Sequence, residues 1–450
     1  MGRNYKNERV KLMQFTPDFF NEALLKNILK KGYQKPSDIQ KKVFTPILNK
    51  QDIAASAQTG TGKTAAFVLP ILQSMLTNYS DADLTKFTTI NVVVLTPTRE
   101  LALQVFEQFD FFAKDLEIIK PALVIGGEKI DSQILKINQG VNIIVATLGR
   151  LIDLQQQAQV DLTGVHTLVL DEADRMLDLG FEDELASILQ FLPQTKQTLL
   201  FSATYPESVK KVVAEFLNNP VYLSSSKQNT ANKNIKQWLY EIDKKNKPAA
   251  IMKIIEEYNQ QQSIVFCKTK QTVDDLDMQL RENGFHSRAI HSDKPQHIRN
   301  SAMTQFKNRD IQVLIATDIA ARGLDIKQLP IVINYDFPFV AEDYIHRIGR
   351  TGRAGEKGMA ISLASAEQYN ELIAIEYLLK HVIQRDTLEG LEPIHNMPNS
   401  FLQKPKEKQI RKKKAKIKIK QNNRTSNHSK APDKKSTGLE LKPRKKRRLQ

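Results

Sequence analysis

The sequence predicts an α/β protein of two successive domains, each built on a mostly parallel sheet, followed by a disordered basic tail. Three observations carry this. Short apolar, β-branched runs alternate with helix-like stretches through most of the chain, the pattern of buried parallel strands joined by right-handed helical crossovers. The alternation breaks once, at the polar stretch SSKQNTANKNIKQ (225–237), which has no apolar periodicity and reads as a linker. Residues 404–450 carry 20 Lys and Arg against 3 Asp and Glu, which places the net charge of +16 in the tail and leaves the body near neutrality. The expected divisions are therefore 1–224, the linker 225–237, 238–385 and a tail over 386–450.

At 450 residues the chain exceeds what one hydrophobic core usually serves, about 250 to 300 residues. Its 41% hydrophobic and 26% charged content are those of a globular protein rather than a disordered or membrane one. Cys267 is the single cysteine, so an intrachain disulfide and a cysteine-rich zinc site are excluded and a reducing cytosol fits. No stretch of about 18 consecutive apolar residues and no signal-like N-terminus is found, and the expectation is a soluble, cytoplasmic protein without membrane contact.

In the first half the strand-like runs are IAASA (53–57), NVVVLTPT (91–98), PALVIGG (121–127), NIIVATLG (142–149), HTLVLDEAD (166–174) and QTLLFSAT (197–204). Ligands of such sheets collect at the carboxyl ends of the strands, where the polar segments TPTRE, DEAD and SAT fall. In the second half SIVFCKT (263–269), FHSRAIH (285–291), IQVLIATD (311–318), PIVINYDF (330–337) and GMAISLA (358–364) repeat the pattern, with an amphipathic helix expected over TVDDLDMQLREN. This half has no phosphate loop of its own.

Three constellations carry chemistry. AQTGTGKT (57–64) lies between a strand and the helical TAAFVLPILQSML, the context a phosphate cradle requires. Gly60 and Gly62 let backbone N–H groups curl around phosphates, Lys63 can reach the β and γ phosphates, and Thr64 can ligate Mg²⁺. Ala57, where the general pattern has glycine, is a mild departure. DEAD (171–174) follows an apolar strand, so Asp171 can hold Mg²⁺ and Glu172 can orient and deprotonate an attacking water. A solvated acidic turn is the plain alternative, and phosphate-loop kinases and transporters share both features. HRIGRTGRAG (346–355) sets Arg347, Arg350 and Arg353 at intervals of three, either along a helix or fanned from a glycine turn towards one anion. A basic surface patch for nucleic acid is the other reading.

The ordered set of motifs resembles the DEAD-box RNA helicases of superfamily 2 over about residues 15–385. That resemblance implies two tandem RecA-like domains and an RNA-stimulated ATPase with ATP and Mg²⁺ as cofactors. GYQKPSDIQ is similar to the adenine-reading Q motif, with Gln40 as the base-reading amide and Phe15 as the stacking aromatic. Ala57, Gln58, Thr59, Gly60, Thr61, Gly62, Lys63 and Thr64 then form the family's own phosphate loop, in which alanine at the first position is usual. Ser202, Ala203 and Thr204 correspond to the motif linking hydrolysis to strand separation.

The same resemblance implies RNA contacts from Pro97, Thr98 and Arg99, from Gly126 and Gly127, and from Thr147, Gly149 and Arg150. In the second half it implies them from Lys268, Thr269, Arg299 and Thr317, with Gly323 and Asp325 facing ATP and Arg350 and Arg353 as arginine fingers. NTANKNIKQ, DEADRMLDLGF and the short core with a basic tail look most like the bacterial RhlE-type subgroup, which suggests ribosome assembly or RNA decay and a monomer acting on RNA without sequence preference. Leu148 stands where proline is usual and Ser292 where glycine is usual, and both bear on the RNA grip. An ATP-gated RNA clamp or scaffold and a DNA-directed helicase are the rival readings. The tail, RKKKAKIKIK and PRKKRRL included, is expected to bind RNA electrostatically, a nuclear import signal being its reading in a nucleated cell.

Overall fold

The structure, a computed structural model, describes residues 14–57, 61–78, 89–224, 234–258, 261–321, 329–352 and 357–402. The first sheet holds β1 Ile53–Ser56, β2 Val92–Thr96, β3 Pro121–Val124, β4 Ile143–Thr147, β5 Thr167–Asp171, β6 Gln197–Ser202 and β7 Val221–Ser224. All pair parallel, in the order β3-β4-β2-β5-β6-β1-β7. The inner strands β1, β2, β5 and β6 are buried throughout, which is why their sequences are continuous apolar runs rather than alternating ones. Helices Glu22–Lys30, Asp38–Leu48, Lys63–Asn78 and Arg99–Ala113 contribute to the core on one face. Helices Leu148–Gln156, Ala173–Asp178, Glu182–Phe191 and Glu207–Phe216 contribute to the other.

The second sheet holds β8 Ile235–Glu241, β9 Ser263–Cys267, β10 Ser287–Ile290, β11 Val313–Thr317, β12 Ile331–Asn334, β13 Gly358–Ala364 and β14 Gln384–Asp386. Its order is β10-β11-β9-β12-β13-β8-β14, again all parallel. Numbered within its own half, this is the strand order of the first sheet. The stretch read as linker loses its end: β8 begins at Ile235, because Ile235 and Leu239 are buried against the sheet while the residues between them stay partly exposed. The expected tail also starts later than 386. Leu388 and Met397 are buried, and Arg385 and Glu241 pair at 2.9 Å while Glu241 also accepts from the Met397 N–H, so residues to about 400 belong to the second domain. Residues 403–450 lie outside the described residues.

Strand order groups the motifs. β5, β6 and β1 are neighbours, with Asp171 in register with Phe201 and Ser56 with Ser202. DEAD, SAT and the phosphate loop therefore leave one half of the sheet edge side by side. β3, β4 and β2 are also neighbours, so Gly126–Gly127, Thr147–Arg150 and Pro97–Arg99 leave the other half.

Candidate nucleotide cleft and RNA-facing edge

Lys63 opens the helix that follows β1 and is 8% exposed, yet its ammonium has no hydrogen-bond partner among the described residues. A buried ammonium beside a turn that reaches Gly62 at φ +85° has the chemistry to hold an anion. Ala57 is buried and donates its N–H to the Ser202 carbonyl at 3.0 Å, so alanine here completes the strand pairing. Gln58, Thr59 and Gly60 lie outside the described residues, and Thr61 and Thr64 are partly buried on either side of Gly62 and Lys63.

Gln40 is held at both ends of its amide. Its oxygen accepts from the Ser37 N–H at 2.8 Å and its nitrogen donates to the Gly62 carbonyl at 3.2 Å. A Cβ at position 62 would come within 2.7 Å of that nitrogen and displace the Gln40 amide, and the positive φ itself favours glycine there. Gln40 thus ties its helix to the phosphate turn. Phe15 is 9% exposed and lies against Phe20 and Tyr33, with ring centroids 6.0 and 6.2 Å away.

Asp171 ends β5 and is 2% exposed. Burial pushes its carboxyl up to about 7, against the pull of Lys63, with Glu172 and Asp174 adding to the rise. Glu172 adopts the left-handed conformation, φ +54°, and turns the chain from β5 into the next helix. Asp174 accepts from both the N–H and the hydroxyl of Thr204, at 2.8 and 2.6 Å. Burial alone would raise its pKa, but His346 and the Thr204 bonds hold it below the usual carboxylate value. Ser202 donates to the Thr204 carbonyl, which fixes the SAT turn.

The second domain closes this cleft. Glu172, Asp174, Ala203 and Thr204 line it from one side, and Glu342, Asp343, His346 and Arg350 from the other. Helix Ala341–Ile348 ends at Gly349, which frees Arg350 from the helix to face the first domain. Arg347 does not share the fan expected of the three arginines. It is 1% exposed, pairs with both oxygens of Asp318 at 2.6 and 2.7 Å, and donates to the Asn334 side chain and the Asp336 carbonyl. Arg353, Gly323 and Asp325 lie outside the described residues.

On the other half of the edge, Pro97 and Thr98 are buried and Thr98 caps helix Arg99–Ala113 through the Leu101 N–H. Gly149 is open and Thr147 partly so. Leu148 begins its helix and is 1% exposed in the core, so packing rather than a ring-fixed φ sets this helix start. In the second domain Thr269 caps helix Lys270–Glu282 and is exposed. Lys268 lies over the Phe339 ring, 4.5 Å from its centroid, and Thr317 ends β11. Ser292 is exposed, its hydroxyl 3.5 Å from Asp293. Arg299 meets Glu100 of the first domain at 2.6 Å and shares the Gln296 side chain with Arg99.

A DEAD/DEAH box helicase family matches residues 37–212, and a helicase conserved C-terminal domain matches residues 246–355. The chain is 40% identical over 355 residues to the DEAD-box ATP-dependent RNA helicase RhpA of Helicobacter pylori, across 79% of this chain and 70% of that protein. The chain belongs to the DEAD-box ATP-dependent RNA helicases. A second bacterial relative, CshA of Bacillus cereus, is 37% identical to the helicase over 366 residues, 81% of this chain and 68% of its own. The solved structure of Mss116p bound to single-stranded RNA and AMP-PNP superposes with a TM-score of 0.77 at 28% identity, covering 85% of this chain and 81% of that one. The two sheets are accordingly two tandem RecA-like domains. Among the described residues no helix is long and apolar enough to cross a membrane.

Sequence reasoning missed Glu100, Gln133, Lys247 and Asp336. Glu100 lies inside PTRELA and drew no separate attention. Lys247 carries a signal only once the two strand orders are compared: like Lys63, it opens the helix that follows the first strand of its sheet. Its ammonium is instead bonded to the Tyr335 carbonyl, Gln368 and Asp336, at 2.5, 2.7 and 3.2 Å.

Proposed function

We propose that this helicase acts as a cytoplasmic monomer that separates short RNA duplexes or remodels RNA–protein particles, by closing its two domains around ATP and a single strand. The observation that carries this is the cleft itself: Glu172 lines it from the first domain and Arg350 from the second, and the charge of Lys63 acts on the neighbouring Asp171 and Asp174. In this reading Lys63 and the turn from Ala57 to Thr64 bind the phosphates, Gln40 and Phe15 set the adenine end, and Glu172 takes the proton of the attacking water. Arg350 and Arg353 meet the γ phosphate as charge develops, an effect of about 10³ to 10⁵ in rate for arginines so placed.

Thr64 and Asp171 would hold Mg²⁺. The donor set fits in kind, one buried carboxyl and one hydroxyl, both oxygen donors of the sort Mg²⁺ takes. The ion's contribution is to neutralise charge on the phosphates. Asp174, bonded to Thr204, ties the DEAD turn to the SAT turn, so occupancy of the nucleotide cleft bears on the loops next to it.

RNA is the favoured strand because Mss116p, to which the fold is similar, was solved with single-stranded RNA. The loops after β2, β3 and β4 and after β9 and β11 form the edge to which it binds. A bent strand held across both domains is incompatible with a continuous duplex, so strand separation follows from differential binding. The domains built on β1–β7 and on β8–β14 do the work, and the basic tail tethers RNA. A role near ribosome assembly or RNA decay, of the RhlE type, rests on sequence features of the chain alone.

Steady-state ATP hydrolysis by the full chain, alone, with RNA, and with DNA of the same sequence at fixed salt, tests the reading. Strong stimulation by RNA only is expected. Equal stimulation by DNA overturns the RNA assignment, and retention of strands without multiple-turnover unwinding favours a clamp.

A further inference from the structure

The turn after β3 is pinned from both flanks. On one flank Gln133, 4% exposed on helix Ile130–Asn138, accepts from the Ile125 N–H and donates to the Ile125 carbonyl, both at 3.0 Å. Its amide satisfies both polar groups of one backbone residue, as a neighbouring strand would. On the other flank both terminal nitrogens of Arg150 reach the Glu128 carbonyl at 3.2 Å. Between them lie Gly126 and Gly127, the latter at φ +82°.

What these glycines leave open is filled from within the chain. A Cβ on Gly127 would lie 2.2 Å from an Arg99 terminal nitrogen, and one on Gly126 would lie 3.2 Å from the other. The glycine pair is thus a seat for the Arg99 guanidinium. From that seat Arg99 points to the second domain, where Gln296 lies 3.5 Å away.

We propose that Gln133 is a positioning residue for RNA binding: by fixing Ile125 it holds the Gly126–Gly127 turn in the shape that seats and aims Arg99. This rests on the reading that the loops after β2, β3 and β4 grip RNA. Gln133 is buried beneath the turn and touches no strand itself, so it acts through Arg99. An arginine with a fixed guanidinium loses less freedom on meeting a phosphate than one free to swing, and the gain appears in RNA affinity rather than in chemistry.

The test is a double-mutant cycle in the full chain, with Gln133→Leu and Arg99→Ala, read as the RNA concentration giving half-maximal ATPase stimulation. Gln133→Leu is expected to raise that concentration about tenfold, with kcat at saturating RNA within about twofold of wild type. On the Arg99→Ala background it is expected to add nothing. An unchanged half-saturation, or the same rise with Arg99 already removed, overturns the proposal. Should Gln133→Leu lose its cooperative melt, Gln133→Glu serves instead: it keeps the acceptor for the Ile125 N–H but sets a second oxygen against the Ile125 carbonyl. If the wild-type chain shows no RNA dependence, the RNA reading fails first; if it does and the cycle is additive, only the role of Gln133 fails.

Discussion

Glu100 and Arg299 meet across the domain boundary at 2.6 Å, with side chains only 10% and 8% exposed. Gln296 joins them, donating to the same Glu100 carboxylate at 3.1 Å. Breaking a buried pair by removing one partner costs about 3–5 kcal/mol, but a domain boundary can avoid much of that by opening and rehydrating the stranded charge. Glu100→Gln is therefore expected to shift the chain towards the open arrangement. Fluorescence transfer between dyes on the two domains checks this, and the exchange Glu100→Arg with Arg299→Glu should recover part of the closed population.

Glu172→Gln removes the proposed base while keeping the shape of the left-handed turn. The variant should bind ATP and RNA as wild type does and hydrolyse no ATP above background. Wild-type turnover in a single-turnover assay contradicts the role given to Glu172.

Arg350→Ala is expected to leave nucleotide affinity nearly intact and lower kcat by about 10³-fold or more. Equilibrium binding of a fluorescent nucleotide set beside the ATPase rate separates the two. A loss confined to affinity would make Arg350 a ground-state contact.

Thr204→Val removes one hydrogen bond that holds the Asp174 carboxyl below its ordinary value. A carboxyl lowered by folding adds stability above its unfolded pKa and loses it as pH falls through the folded one. The variant should therefore lose stability relative to wild type above about pH 4. The gap should narrow in stronger acid. Thermal melts in a pH series show both limbs.

Lys247 and Asp336 offer a contrast within one pair, at 3.2 Å with side chains 2% and 19% exposed. Asp336→Ala strands a buried ammonium and should destabilise the second domain by about 3–5 kcal/mol, whereas Asp336→Ala combined with Lys247→Met, which removes both charges, should cost less than the single change. Trp238, the chain's single tryptophan, lies on β8, so its fluorescence in a denaturant titration reports on this domain.

Local signals made much of this molecule legible. Continuous apolar runs marked the inner strands, because a parallel strand buried on both faces has no polar positions to confuse it. The edge strand β14 escaped, since Gln384–Asp386 is short and largely exposed, and β8 was partly read as linker because Lys236 and Gln237 look polar in sequence. In the candidate site, spacing singled out Lys63, Asp171 and Glu172, each of which the fold sets at the end of a strand of the first sheet or at the turn that follows it. The pairing of Arg299 with Glu100 was not legible, because the two lie about two hundred residues apart in sequence, beyond any local pattern. Gln133 was invisible for the same reason: only the folded β3 turn shows that its amide stands in for a strand.

The identical strand order of the two sheets bears on stoichiometry. A chain made of the same scaffold twice has, by geometry, two places for a phosphate turn, each opened by a lysine at a helix start. In the second place Asp336, Gln368 and a carbonyl already saturate that lysine, so an incoming anion would have to compete with an intramolecular partner. On the proposed reading the expected count is one nucleotide per chain, which equilibrium binding of a fluorescent nucleotide would show. In that proposed reading, two like halves with one fuel site do not alternate with each other; they come together and part, once for each ATP.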